Sequence, residues 1–556
     1  MPTNKRIFTP LVFLLLFSLV QSVAPVTSGQ QQPVRERIVG APPVATPSPS
    51  PSPIASPVSS PQASSAVKIS NPTQTLAELQ ARISQVLQKP ELAQAMVGIK
   101  VASLDTGRVM FESNAHKLLR PASNMKLYTV AAAIDRLTPE YRFVTSVYAP
   151  AKPDSAGVVR GNLTIYGRGD PSIAARFNAG NYFKGIDDLA ARIVASGVKR
   201  VEGDLVGDES YFTGPQYGSG WNWDDLTWWY GAEVTALTVN DNALDLFVKP
   251  GTQVGAPALI TTGPPDPLLR IVNKVTTAAK GTRRDLLAYR ALNSDELEIS
   301  GSIALDDPGY TGGIGISRPA LLFVYLLRAS LAQQGVTVTG KSRIVPQAIS
   351  AAAAGTDVSS LVEVASLQSP PLSLVAANTL KPSQNLYTEL ILRTLGKVVP
   401  RPPTATSVSI DRTSESAGIE VVRAFLVEAG VMAAPLALND GSGLSRNDMI
   451  TAEGTLQLLT YMRRHRFATA FRDALPIAGV DGTLRNRMKG TVAENNLRAK
   501  TGTLSSASSL SGYVTTAAGE ELVFSIMVNN YPPGTSAPAV CIDPIAILLA
   551  SFAGKS

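Results

Sequence analysis

The residues Pro121-Ala122-Ser123-Asn124-Met125-Lys126 open a segment of helical periodicity. The apolar residues that follow are spaced three or four apart: Leu127, Val130, Ala131, Ile134 and Leu137. Ser123 and Lys126 are therefore expected on one face of the first turn of a buried helix. The positive end of that helix favours negative charge developing on the Ser123 hydroxyl. The segment predicts a serine nucleophile with a lysine base beside it.

Two later motifs complete an ordered set of three. They are Ser383-x-Asn385 and Lys500-Thr501-Gly502-Thr503. In this order they are typical of active-serine enzymes that use lysine where others use histidine. Each pattern is weak alone, because it also occurs at Ser65 with Lys68, at Ser196 with Lys199 and at Ser445 with Asn447. Context favours Ser123, since Ser65 lies in a Pro/Ser run and Ser196 ends an element before a strand expected at 198–206.

The three motifs explain one another chemically. Lys126 acts as a general base only while it is neutral, and both burial and a nearby ammonium such as Lys500 lower the pKa of a lysine. Ser383 is predicted to relay a proton between Lys126 and the leaving amine. The Asn385 amide is predicted to hold the peptide backbone of the substrate.

The strand that carries Lys500 is predicted to bind the end of the substrate. Its charge and hydroxyl groups suit a terminal carboxylate, so the binding residues are expected to be Lys500, Thr501, Gly502 and Thr503. Gly502 is expected to let the substrate approach the backbone closely. The backbone N–H groups of Ser123 and Thr503 are the candidates for an oxyanion hole, in which losing one donor costs about 3 to 4 kcal/mol. The expected substrate is a peptide with a free C-terminus.

Other catalytic chemistries fit the composition poorly. The chain has two histidines and one cysteine. His116 and His465 are both predicted to be surface residues, which argues against a Ser-His-Asp triad and against a zinc site. Cys541 is predicted to be an apolar core residue. We expect neither a metal nor a cofactor.

Several polar and aromatic segments are interpreted structurally. Asp440-Gly441-Ser442-Gly443 and Asp481-Gly482 are predicted to form tight turns, and Asp170 is predicted to be a turn residue before Pro171. An aromatic cluster comprises Trp221, Trp223, Trp228, Trp229 and Tyr230. Large aromatic side chains most often anchor cores, although docking of a glycan or peptide on this cluster stays an open alternative.

The N-terminal region predicts export. Residues 1–24 combine Lys5 and Arg6 with an apolar run and the small residues Ser22-Val23-Ala24, as in a secretory signal. Residues 25–71 are rich in Pro and Ser and predict a disordered tether. Export with a single cysteine suits a bacterial periplasm or extracytoplasmic envelope. The net charge of +7 is scattered. It predicts no nucleic-acid partner and leaves a weak association with wall or membrane open.

The length of 556 residues predicts more than one domain. Residues 72–145 and 317–556 are expected to form a discontinuous α/β (α+β) catalytic domain around a β-rich insertion at 146–316. A helix from Leu76 and a hairpin at 97–104 and 109–112 precede the Ser123 helix, and a helix at 319–334 is expected to mark the return of the first domain. Strands at 510–515 and 522–529 place the Lys500 strand in a largely antiparallel sheet, and a helix at 544–552 closes the chain.

At the three motifs, 123–126, 383–385 and 500–503, the chain resembles the D-alanyl-D-alanine carboxypeptidase/endopeptidase family, the low-molecular-mass class C penicillin-binding proteins. Besides the three motifs, the matching blocks are residues 121–126, Gly169-Asp170-Pro171-Ser172, Asp440-Gly441-Ser442-Gly443-Leu444-Ser445 and Asp481-Gly482-Thr483-Leu484. The resemblance covers roughly residues 75 to 550. It implies a penicillin-recognising domain of helices on an antiparallel sheet, interrupted by a large insertion between the first and second motifs.

The resemblance also implies an activity. Members hydrolyse the terminal D-Ala-D-Ala bond of peptidoglycan stem peptides, cleave D-Ala to diaminopimelate cross-links, and are acylated by β-lactam antibiotics. The expected function is therefore that of a serine DD-peptidase that forms an acyl-enzyme. Two alternatives stay open: a serine β-lactamase, for which no deacylating glutamate is evident, and a non-enzymatic receptor that β-lactams acylate.

Overall fold

The computed structural model describes residues 72–349, 357–400, 412–431 and 436–556. The predicted signal segment, the predicted tether and the pair Ser65 and Lys68 lie outside these residues. The described residues form ten α-helices and nineteen β-strands. In these same parts of the chain, no helix is both long enough and apolar enough to span a bilayer.

The helices are α1 (Leu76–Leu87), α2 (Met125–Leu137), α3 (Lys184–Ala195), α4 (Pro319–Gln333), α5 (Leu372–Leu380), α6 (Asn385–Val398), α7 (Ser414–Glu428), α8 (Ala452–Arg463), α9 (Ala468–Asp473) and α10 (Asp543–Ser551). The strands are β1 (Met96–Ser103), β2 (Val109–Ser113), β3 (Val144–Ala149), β4 (Val158–Arg160), β5 (Leu163–Tyr166), β6 (Arg200–Glu202), β7 (Leu205–Asp208), β8 (Ala243–Lys249), β9 (Leu259–Gly263), β10 (Arg270–Ala278), β11 (Asp285–Tyr289), β12 (Glu296–Ala304), β13 (Tyr310–Gly315), β14 (Thr337–Val338), β15 (Ser342–Val345), β16 (Val362–Gln368), β17 (Arg498–Leu504), β18 (Ala507–Thr515) and β19 (Glu521–Asn529).

A five-stranded antiparallel sheet carries the third motif. Its strand order is β17-β18-β19-β1-β2, so β17 is an edge strand. Helices α2, α5, α6, α7 and α8 contribute the core on one face, and α1 and α10 contribute the core on the other. Because both faces are covered, the central strands β18 and β19 are buried almost throughout. Strand β19 is mostly apolar, whereas β18 carries the buried residues Ser508, Ser509 and Ser511. The predicted antiparallel setting of the motif strand is confirmed, and so are the hairpin and the closing helix.

The first motif spans the start of α2. Ser123 lies in the short turn just before this helix, and Lys126 lies in its first turn. Ala122–Asn124 form a 3₁₀ turn that runs directly into α2. The turn is fastened to β18, because Ser509 Oγ donates to the Pro121 carbonyl at 2.7 Å and Asn124 Nδ2 donates to Ser511 Oγ at 2.7 Å. Helix α2 is buried over most of its length, which explains its apolar residues on every side.

The region between β3 and β16 is rich in strands, as predicted. A mixed sheet has the order β15-β7-β5-β3-β16, and three smaller sheets have the orders β14-β6-β4, β13-β8-β9 and β10-β12-β11. The segment 198–206, expected as one strand, forms the two strands β6 and β7. Its chain bends at Gly203, which approaches Gly161 so closely that a Cβ would lie 2.3 Å from the Gly161 carbonyl oxygen.

The inserted strands extend further along the chain than expected. Helix α4 was predicted to mark the return of the catalytic domain at 317, but its apolar residues pack in the core of the inserted sheets. Strands β14, β15 and β16 also pair with inserted strands. The pairing and packing therefore place 317–368 with the insertion. An apolar helical period cannot reveal this, because it shows that a face is buried and not which sheet covers it.

Candidate active site

The three motifs converge around the buried amine of Lys126. Its Nζ lies 3.1 Å from Ser123 Oγ and donates to Asn385 Oδ1 at 2.6 Å and to the Ser442 carbonyl at 2.7 Å. The Lys126 side chain is fully buried, whereas Ser123 is half-buried. The serine hydroxyl therefore lies between a dry amine and the surface, as a nucleophile with a base behind it requires.

Burial lowers the pKa of the Lys126 amine to about 7. Three carboxyl groups oppose this shift through their charge: Asp440, Glu389 and Asp448. Lys500 is close enough for the two amines to repel each other as charges, as the sequence predicts. Burial lowers the pKa of Lys500 well below its ordinary value, and the charge of Lys126 lowers it further. An amine with a pKa near 7 is neutral often enough to accept a proton.

Ser383 connects the second motif to the third. Its Oγ accepts a hydrogen bond from Lys500 Nζ at 2.9 Å, and Lys500 also donates to the Thr501 carbonyl at 2.8 Å. Ser383 has a φ of 66°, in the left-handed region that a serine rarely adopts. Ala122, immediately before the nucleophile candidate, is also left-handed with a φ of 48°. Backbone strain of this kind persists where the surrounding structure fixes it.

Asn385 has a different position from the one expected. We predicted that its amide holds the substrate backbone, but both ends of the amide have partners within the protein. The oxygen accepts from Lys126, and Nδ2 donates to the Tyr230 carbonyl at 2.8 Å. Asn385 thus fixes the base of the first motif and connects it to the inserted region. No sequence pattern indicates this contact, because Tyr230 lies far away along the chain.

Gly502 and Thr501 also differ from expectation. A Cβ on Gly502 would lie 2.1 Å from Ser509 Oγ and 2.5 Å from the Pro121 carbonyl oxygen. The small residue therefore admits the turn that carries Ser123, so the role predicted for it, close approach by the substrate, is not what its geometry explains. The Thr501 hydroxyl, expected at the substrate carboxylate, is buried and pairs with the Thr483 hydroxyl at 2.7 Å.

Thr503, predicted to bind substrate and to donate its backbone N–H to the oxyanion, lies on the surface. It is exposed near the end of the edge strand β17, opposite Ser508 of β18. The turn of Ser123 packs against the same strand. The backbone amides of Ser123 and Thr503 thus belong to two elements in contact, which is the arrangement that an oxyanion hole needs.

The loop Asp440-Gly441-Ser442-Gly443 is part of the site, although the sequence was interpreted only as a turn. Asp440 accepts backbone hydrogen bonds from Gly443 at 2.7 Å and from Leu444 and Ser445 at 3.1 Å, so it does form the turn. The same turn presents the Ser442 carbonyl to Lys126. Its similarity to a family block was the one sequence signal that pointed to this role.

The aromatic cluster separates into different environments. Trp221 Nε1 donates to Asp440 Oδ2 at 2.8 Å, and Trp228 packs against the core of the inserted region. Trp229 and Tyr230 meet edge to face, and Trp223 is 65% exposed. The expectation that these aromatic residues anchor a core is therefore met for Trp228 but not for Trp223, and Trp221 instead contacts the Asp440 loop.

The remaining predictions concern single residues. Asp170 is buried and accepts from the backbone N–H of Ser172 at 2.8 Å, as a turn residue does. Cys541 is buried and His116 is exposed, as expected. His465 was predicted to lie on the surface, but its side chain is only 6% exposed and its ring bonds to Asp135 at 3.0 Å. Within the described ranges no group of His, Cys, Asp and Glu side chains could hold a metal ion.

Comparison with known proteins assigns this arrangement to a family. The family described as D-Ala-D-Ala carboxypeptidase 3 (S13) matches residues 79–552. The D-alanyl-D-alanine carboxypeptidase of Actinomadura sp. (strain R39) is 34% identical over 490 residues, which cover 86% of each chain. The chain belongs to the S13 family. It is accordingly a serine DD-peptidase, a hydrolase, and the resemblance inferred from its motifs is confirmed.

Solved structures show the same fold. The crystal structure of penicillin binding protein 4 from Haemophilus influenzae matches with a TM-score of 0.70 and 23% identity, covering 84% of this chain and 97% of that one. A second crystal structure of that protein, in complex with a β-lactam, matches with a TM-score of 0.65 and 22% identity, covering 83% of this chain and 98% of that one. The S13 chain therefore has the predicted α/β fold of helices on an antiparallel sheet. Family membership favours the peptidase over the β-lactamase and the receptor.

Proposed function

We propose that Ser123 is the nucleophile and Lys126 the general base of this DD-peptidase. Ser123 Oγ attacks the carbonyl carbon of the penultimate D-Ala and passes its proton to Lys126 Nζ. The observation that carries this proposal is the 3.1 Å separation between Ser123 Oγ and a fully buried amine whose pKa is about 7. The backbone N–H groups of Ser123 and Thr503 are proposed to stabilise the oxyanion.

The second half of acylation needs a proton for the leaving group. The C–N bond of the tetrahedral intermediate breaks, and the terminal D-Ala leaves as its amine after receiving the proton taken from Ser123. Ser383 is proposed to relay this proton from Lys126 to the leaving amine, with its hydroxyl oriented by Lys500 Nζ, which donates to it at 2.9 Å. Water then hydrolyses the ester on Ser123 and releases the shortened peptide.

The substrate end is proposed to lie along the edge strand β17. Thr503 offers an exposed hydroxyl there for the terminal carboxylate of a peptidoglycan stem peptide, and the Lys500 amine, buried on the same strand, is proposed to bind this carboxylate as a hydrogen-bond donor. Cleavage of D-Ala to diaminopimelate cross-links uses the same acyl-enzyme with a different leaving amine. We extend the proposal to covalent acylation of Ser123 by β-lactams, which is supported by the β-lactam complex of the H. influenzae relative.

We also propose that the enzyme is exported and works in the periplasm or extracytoplasmic envelope. The support is the basic start, apolar run and small residues of segment 1–24. Expression of the full chain with an epitope tag, followed by fractionation, tests this proposal. Mature protein in the envelope fraction supports it, and full-length protein in the cytoplasm contradicts it.

A substrate panel tests the proposed activity. The purified chain is incubated with a diacyl-Lys-D-Ala-D-Ala peptide and with a D-Ala-cross-linked dimer, and released D-Ala or monomer is measured. The wild-type chain is expected to hydrolyse at least one of them, and Ser123→Ala neither. Equal hydrolysis by the two proteins would contradict the assignment of Ser123.

A further inference from the structure

Asp440 collects an unusual number of hydrogen bonds for a turn aspartate. Three come from the backbone amides of its own loop, and a fourth comes from Ser442 Oγ at 2.8 Å. A fifth comes from Trp221 Nε1, which belongs to the inserted region. The Asp440 side chain is fully buried. Hydrogen bonds to a charged, buried acceptor are stronger and more directional than those to a neutral one.

The loop that Asp440 shapes touches both members of the proposed catalytic pair. The Ser442 carbonyl accepts from Lys126 Nζ, and the Gly441 carbonyl accepts from Thr129 on the same helix. Gly443, with a φ of 78°, lies against the turn of Ser123, since a Cβ there would be 1.9 Å from the Ala122 carbonyl oxygen. A shift of this loop therefore moves an acceptor of the base and the support of the nucleophile together.

We propose that Asp440 is a positioning residue for acylation, which holds the Ser442 carbonyl and a negative charge beside Lys126, and that Trp221 of the inserted region orients it. This inference rests on the proposed roles of Ser123 and Lys126. It gives the insertion a part in catalysis, because Trp221 is an indole donor supplied from outside the catalytic helices and sheet.

The charged surroundings of Lys126 determine what removing Asp440 does. The acidic groups that face it are Asp440 and Asp448 of the loop and Glu389 of α6, and Lys500 faces it from β17. Burial is the largest cause of the raised pKa of both Glu389 and Asp448. The charge of Asp440 is the next cause of both raised pKa values, so replacing Asp440 lowers them and lets these two carboxyls regain part of the lost charge. Burial, the larger cause, remains, so they offset the loss only in part.

The test compares two variants of Asp440 by their rate of acylation by benzylpenicillin as a function of pH. Asp440→Asn removes the charge that raises the pKa of Lys126, so the rising limb of the profile should move to lower pH by about 1 to 3 units. The plateau should fall about 100-fold, since the amide NH₂ opposes the loop donors. Asp440→Glu keeps the charge but not the geometry, so its plateau should fall while its limb stays in place.

A role confined to folding gives a different pattern. In both variants a smaller fraction of the chains would then be labelled, measured as adduct per chain. The chains that remain folded would show the wild-type dependence of acylation rate on pH. That result, or wild-type rates in Asp440→Asn, would overturn the proposal. Asp154→Asn is the matched control, because Asp154 accepts backbone hydrogen bonds from Ala156 and Val158 in an exposed loop of the inserted region.

Trp221→Phe tests the contribution of the insertion without removing the ring. It deletes one donor to Asp440 and should slow acylation about tenfold, as loss of one hydrogen bond to a charged group does. An unchanged rate would overturn the part assigned to Trp221. Lys126→Met separates this inference from the proposed function. Acylation at the wild-type rate in that variant would show that Lys126 is not the base, whereas the Asp440 variants test only how the base is positioned.

Discussion

The amide oxygen of Asn385 accepts a hydrogen bond from Lys126 Nζ at 2.6 Å, so the second motif holds the base of the first. The amide nitrogen is meanwhile bonded to the Tyr230 carbonyl. This orientation leaves Lys126 facing a neutral acceptor. A neutral partner supports the amine without adding to the negative charge that raises its pKa.

Asn385→Asp should therefore make the base too strong to be free of its proton at pH 7. A carboxylate in contact with Lys126 favours the charged amine and should raise its pKa by about 1 to 3 units. The rising limb of acylation against pH should move to higher pH by that amount. Asn378→Asp on the surface of α5 makes the same charge change away from the site and should leave the limb in place. An unshifted limb in Asn385→Asp would contradict the contact.

The wild-type enzyme should show acylation that rises with pH and levels off above about 7. The sign follows from the base, because Lys126 accepts a proton only when neutral and its neutral fraction grows as the pH passes its pKa of about 7. Stopped-flow or quenched acylation by benzylpenicillin between pH 5 and 9 measures this limb. A rate that stays flat from pH 5 upward would rule out a titrating lysine as the base.

Gly502→Ala should displace the turn that carries Ser123, because it adds a methyl group between β17 and that turn. The added methyl group would meet Ser509 Oγ and the Pro121 carbonyl, and pushing the Ser123 turn away should cost roughly 1 to 3 kcal/mol of unfolding free energy. Acylation should slow as well, because the turn and Thr503 separate. Denaturant unfolding and acylation kinetics measure the two effects. Gly315→Ala, where the closest atom would be 3.3 Å away, is the control and should change both much less.

Ser383→Ala should slow turnover about 100- to 10,000-fold without moving the rising limb. Its hydroxyl bonds to Lys500 and not to Lys126, so the titration of the base is expected to persist. Steady-state release of D-Ala across pH measures both quantities. Ser84→Ala on the surface of α1 controls for the loss of a hydroxyl group. A wild-type rate in Ser383→Ala would exclude the relay.

The sequence predicted the parts of the fold that depend on local pattern. The period of Leu127 to Leu137 placed the buried helix, and the β-like segments at 510–515 and 522–529 placed the strands that follow Lys500. The order and context of the motifs also predicted the convergence of Ser123, Lys126 and Lys500. The helix and the strands follow from local sequence. The convergence of the three residues follows from the chemistry, because a serine nucleophile needs its base within reach.

The rest depended on contacts between distant segments. Trp221 and Tyr230 belong to the insertion, yet they bond to Asp440 and Asn385 of the catalytic domain. No local sequence pattern around these residues indicates which partner each will contact. The helix α4 lies where the sequence predicts it, but its assignment to the catalytic domain was wrong for the same reason, since its apolar face matches either sheet. Gly502 was assigned to the substrate because a glycine shows that something approaches closely, and not what approaches.

The most direct test of the central claim is mass spectrometry of the chain after incubation with benzylpenicillin, and separately with diacyl-Lys-D-Ala-D-Ala. We predict one penicilloyl adduct on the peptide that contains Ser123, together with release of D-Ala. Ser123→Ala should remain folded by circular dichroism and show neither. An adduct on another residue, or an adduct that persists in Ser123→Ala, would contradict the account.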